Sequence, residues 1–148
     1  MPLPDDASLL AEAQRGLRTR FEDFRQAFDR RDEAAYRVAL IDFRENLGRW
    51  TAAAERTLVP ALSRLAAPRA DLSREIRLDF VQLRELARHI LEQIENRAPL
   101  SDVLGLVENL GRRLAAHGTH IDEVYGPAAA EALDASGWIA LRPAVPPG

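Results

Sequence analysis

Apolar residues recur at helical intervals along most of the chain. Leu10, Leu17, Phe21, Phe24 and Phe28 are spaced three, four and seven apart, which lines them along one face of a helix from about residue 6 to residue 30. Asp5 and Asp6 suit its first turn, where a carboxylate meets the positive end of the helix dipole. A second helix is expected to open at Asp32 and Glu33 and to bury Tyr36, Leu40, Phe43, Leu47, Trp50 and Ala54. Pro60 should kink or end it, because an interior proline loses a hydrogen bond and crowds the carbonyl four residues back. After AAPRAD at 66–71, a stripe of Ile76, Phe80, Leu83, Leu86, Ala87 and Ile90 predicts a third helix over about 71–95, stopped by Ala98 and Pro99. Ser101 is the expected N-cap of a fourth helix, with Asp102 near its positive end, reaching about Leu133. Gly105, Gly111, Gly118 and Gly126 weaken its interior and Pro127 interrupts it.

Four long helices with short connectors predict an all-α fold, an antiparallel up-down-up-down four-helix bundle over residues 1–135. The Pro/Gly-rich stretch 136–148 is expected to be an irregular tail. Internal repetition supports the bundle. WTAAAERTLVPAL begins at Trp50 and HGTHIDEVYGPAA begins at His117, and each reaches a proline ten residues on, Pro60 and Pro127.

Composition narrows the class. At 148 residues, 47% hydrophobic and 29% charged, the chain can bury a substantial core as one domain. It shows no 18-residue apolar run and no secretory leader pattern, so no membrane association and a cytoplasmic location are expected. The absence of cysteine excludes disulfides, thiolate metal sites and cysteine nucleophiles. A net charge of -3 offers no general attraction for nucleic acid. All 20 basic residues are arginine, which we read as the coding bias of a GC-rich bacterial genome. The pairs Arg30-Arg31 and Arg112-Arg113 are expected on solvated faces, and His89 on the surface. No G-x-S-x-G elbow, phosphate loop or H-E-x-x-H is present, so the chain is not expected to be an enzyme.

The densest candidate chemistry is HGTHIDEVYGP at 117–127, where His117, His120, Asp122 and Glu123 crowd together. With ERTLVP at 55–60, DEVYGP at 122–127, QRGLR at 14–18 and SREIR at 73–77, the chain resembles the hemerythrin-like (HHE cation-binding) domains over roughly residues 9–133. The resemblance implies a four-helix bundle that holds two irons through histidines and carboxylates and binds or senses dioxygen or iron.

Carried over position by position, that ligand set is mostly replaced. The first-helix histidine becomes Gln14. In the second helix the histidine becomes Trp50, and the glutamate one turn on becomes Ala54. The third-helix histidine becomes Ser73, with Arg77 one turn later. Only His117 and Asp122 match. A di-iron centre needs converging imidazoles and bridging carboxylates, which these residue types do not supply. The expectation is therefore a degenerate member without metal or cofactor. Trp50 would fill the vacated space, and an inward Arg77 would pair with Asp122 or Glu55, since a buried charge demands a partner. His117 would be a hydrogen-bonded remnant, while His120 and Glu123 would lie on a solvated face. The expected role is a binding or regulatory module, monomer or homodimer, for an unknown protein or small-molecule partner. Two alternatives stand beside it. One is weak or mononuclear iron binding through His117, Asp122, His120 or Glu123; the other is a small-molecule pocket in the bundle core near Trp50, Gln14 and His117.

Overall fold

The computed structural model describes residues 6–148, which form helices joined by short connectors with no strand among them. Asp5 lies outside the described residues. After a 3₁₀ turn at Asp6–Ser8 come α1 (Leu9–Asp29), α2 (Glu33–Ser63), α3 (Leu72–Glu95) and α4 (Leu100–His120). A π-helical turn (Ile121–Tyr125) leads into α5 (Gly126–Ala132), followed by α6 (Ala135–Leu141) and a 3₁₀ turn at Arg142–Ala144. Each long helix packs along the next, and α4 also returns to α1.

The stripes read from the sequence are the buried faces. Phe21, Phe24 and Phe28 of α1 meet Phe43 and Tyr36 of α2, with ring centroids 5.6 to 6.3 Å apart in tilted or edge-on geometry. Ile76, Phe80, Leu83, Ala87 and Ile90 form the matching wall of α3.

The ends of α1 and α3 show why the connectors are short. Arg31 and Arg97 adopt left-handed φ values of 58° and 56°. Asp32 N–H then donates to the Ala27 carbonyl, and Ala98 N–H to the Gln93 carbonyl, each 3.0 to 3.1 Å, closing a Schellman turn at each end. Asp32 also caps α2 by accepting from the Ala35 N–H at 3.2 Å.

Three local expectations are corrected. Pro60 does not end α2, which continues to Ser63 because buried Ala61 and Leu62 anchor the last turn to the core. Ser101 is not the N-cap: α4 begins at Leu100 after Pro99, and Ser101 lies exposed in its first turn. The tail is not irregular. Asp134 caps α6 by accepting from the Gly137 N–H at 2.9 Å, and Trp138 and Leu141 bury themselves beside α2. Beyond them, buried Pro146 lies over Gly16 of α1, where any Cβ would collide with its backbone. Arg20 donates to the carbonyls of Gly16 at 3.0 Å and Pro147 at 2.6 Å, holding this seat.

Candidate functional site

The π turn decides which side chains meet. Gly126 N–H donates to the carbonyl of Ile121, five residues back, so one residue more than usual is wound into this turn. Gly126 has an ordinary φ of -61°. What it supplies is the absence of a Cβ, which would stand 2.7 Å from the Ile121 oxygen. On a regular helix, eight residues at about 100° each would leave Tyr125 about 80° around from His117. The extra residue takes back about 100°, and the two side chains fall on nearly one stripe.

Both point at Asp79 of α3. His117 Nδ1 and the Tyr125 hydroxyl each lie 3.0 Å from Asp79 Oδ2, and His120 Nδ1 lies 3.7 Å from it. His117 is 3% exposed and Tyr125 2%, whereas the side chains of Asp79 and His120 are 24% and 53% exposed. Phe80 stands edge-on to the His117 ring, with centroids 5.6 Å apart. Burial acts to raise the Asp79 carboxyl, but the bonds from His117 and Tyr125 and the nearness of His120 outweigh it and hold the group below the ordinary carboxylate value. Asp79 is therefore an ionised acceptor, and His117 must place its proton on Nδ1 to donate to it. The Tyr125 phenol is pushed up, first by burial and then by the Asp79 charge.

The sequence-derived positions are spread over core and surface. Trp50 and Ala54 are core residues, 2% and 0% exposed. Gln14 is buried, its Nε2 donating to the Leu114 carbonyl at 2.8 Å, while its Oε1 is enclosed without a hydrogen-bond partner among the described residues. Ser73 is buried and donates within its own turn to the Ala70 carbonyl at 2.8 Å. Arg77, in contrast, points to solvent and pairs with neither Asp122 nor Glu55, because the inward stripe of α3 passes through Ile76 and Phe80. The Glu55 partner is Arg84, whose Nη1 donates to Glu55 Oε1 at 3.0 Å and to Thr51 Oγ1 at 2.9 Å. Asp122 and Glu123 are exposed, and the partner of His117 is Asp79 instead of Asp122. His89, Arg30, Arg31, Arg112 and Arg113 are exposed as expected.

Gln14, Trp50 and His117 do not share a pocket. Gln14 and Asp122 line an open groove of about 710 Å³ between α1 and α4, His117 lines a separate cavity of about 160 Å³ between α3 and α4, and Trp50 lines neither. Among the described residues, no group of three or more His, Asp or Glu side chains is placed to hold a metal ion. The residues at the carried-over positions do not fit a pair of irons: one is an indole, one a methyl group, one an amide already bonded, and Asp122 is exposed while His117 is buried.

Sequence reasoning missed Asp79 and Tyr125. Asp79 follows Ile76 by three positions and precedes Leu83 by four, so it stands on the border of the apolar stripe, where an acidic residue is a signal for a buried partner on a neighbouring helix.

No helix among the described residues is long and apolar enough to cross a membrane. Comparison of the chain with protein-family models, with curated proteins and with solved structures finds no match.

Proposed function

We propose that the chain is a hemerythrin-like antiparallel four-helix bundle without a di-iron centre, acting as a non-enzymatic binding or regulatory module. The reading is carried by what occupies the former ligand positions. Trp50 and Ala54 pack as core, and His117 is committed to Asp79, not to a second carboxylate on its own helix. A core closed in this way does not need metal to define it. Trp50 alone contributes on the order of 3 kcal/mol of apolar burial.

The test is metal content and its effect on stability. Protein expressed in iron-supplemented medium should carry less than stoichiometric iron, and thermal melts with and without chelator should coincide, because a ligand that binds only the native state must raise stability. Ferrous iron followed by oxygen should give no oxo-bridged absorption. Two tightly held irons per chain would overturn the proposal. A single weak metal abolished by His117→Ala would replace it with a mononuclear site.

A further inference from the structure

The cavity of about 160 Å³ between α3 and α4 has Asp79 and His117 on its lining, Leu83 as an apolar wall, and Gln82, Arg113 and His120 beside them. His117 is more than nine-tenths buried, and only its Nδ1 is engaged, by Asp79. Among the described residues its Nε2 has no hydrogen-bond partner. In the neutral ring that donates from Nδ1, Nε2 carries a lone pair. A tautomer change would set the Nδ1 lone pair against the ionised Asp79 oxygen, so the acceptor is held in place by the same bond that orients the ring. Asp79 also keeps capacity: its Oδ2 accepts from His117 and Tyr125, while among the described residues Oδ1 takes part in no hydrogen bond.

The opposite charge comes from Arg113. This exposed guanidinium spends Nη1 on Gln82 Oε1 at 2.7 Å, which steadies the side chain beside the cavity and leaves its other N–H groups available. A planar fork of that kind matches a carboxylate. One lining element is anionic and rich in acceptors, and another is cationic and rich in donors. The volume corresponds to about five waters at their share of the liquid, which restricts an occupant to a handful of heavy atoms.

We propose that this cavity binds a small amino carboxylate as its zwitterion, with the ammonium at Asp79 and His117 Nε2 and the carboxylate against Arg113. The orientation follows from charge, because a carboxylate directed at Asp79 would be repelled. The proposal deepens the binding-module reading by naming a ligand class, and it is tested on chelator-treated protein so that iron uptake is scored separately.

The probe is glycine, titrated while the His117 imidazole resonances are followed. Acetate lacks the ammonium, methylamine lacks the carboxylate, and glycolate replaces the ammonium by a hydroxyl. Glycine should saturate the His117 shift at a concentration about tenfold or more below acetate and methylamine, one charge-assisted contact being lost in each analogue. Arg113→Gln, a surface change, should bring glycine down to the methylamine level while the far-ultraviolet spectrum is unchanged. Glycine that leaves His117 unperturbed, or binds no better than methylamine, overturns the proposal. Glycolate binding as well as glycine overturns the ammonium assignment, and an unaltered glycine affinity in Arg113→Gln overturns the carboxylate assignment.

Discussion

Removing the Asp79 carboxylate should destabilise the protein through two donors at once. In Asp79→Ala, His117 Nδ1 and the Tyr125 hydroxyl lose an acceptor that each held at 3.0 Å, and both side chains are almost fully buried. A buried donor left without a partner costs about 1–3 kcal/mol. The sum is moderated because the Asp79 side chain is 24% exposed, so water can enter the truncated space and satisfy part of the loss. The expected cost is about 2–4 kcal/mol, equivalent to a urea midpoint lowered by about 1–2 M at the slopes usual for chains of this size. Equilibrium unfolding followed by circular dichroism measures it. Tyr125→Phe alone should cost about 1 kcal/mol, and close to nothing when Asp79 is already alanine, which makes the pair strongly non-additive. A cost below about 0.5 kcal/mol for Asp79→Ala, or strict additivity with Tyr125→Phe, would refute the network.

The same carboxylate sets a pH dependence. Its folded value lies below 3.8, so its contribution is present above about pH 4 and is lost as pH falls through the folded value. The stability gap between wild type and Asp79→Ala should therefore narrow on acidification below pH 4; a gap that widens contradicts the assignment. Glu85 and Asp134, also held low, are present in both chains and cancel. Trp50→Ala should cost roughly 3–5 kcal/mol in the same assay, and a value near zero would mean that the indole does not fill the core. Gly126→Ala should cost about 1–3 kcal/mol, since its Cβ would press on the Ile121 carbonyl 2.7 Å away and a backbone atom cannot easily yield. It should also weaken the Tyr125 bond to Asp79, visible as a phenol that ionises at lower pH; full stability in this variant would show that the π turn can unwind at no cost.

The long helices were legible because burial imposes a period, and Phe21, Phe24, Phe28, Ile76, Phe80 and Leu83 keep it. The register of the fourth helix was not. Nothing in the local preferences of IDEVY announces an extra residue per turn, and Gly126-Pro127 reads as an interruption until the Ile121 carbonyl is seen to require a missing Cβ. On a regular helix Asp122 stands about 140° from His117, which disfavours that pair but does not name the replacement. Asp79 lies 38 positions from His117, and sequence spacing holds no record of which helices face each other. The tail was more legible than its proline content implied: Asp134 in capping position and Trp138 and Leu141 three apart are helix signals.

The seat of Pro146 over Gly16 also bears on the order of assembly. Arg20 and Pro147 are 127 positions apart, whereas α1 and α2 meet across a tight turn at residues 30–32. Local hairpin contacts cost little chain entropy to close and can form while synthesis proceeds, but the contact with Pro147 cannot form until that residue has been made. During that interval Gly16 and the helix backbone around it stay open to water. Covering Gly16 thus waits on the synthesis of a short proline-rich segment more than 120 positions further along the chain. Because proline brings no N–H that must find a partner, that closure can be completed by the carbonyls alone, with Arg20 as their donor.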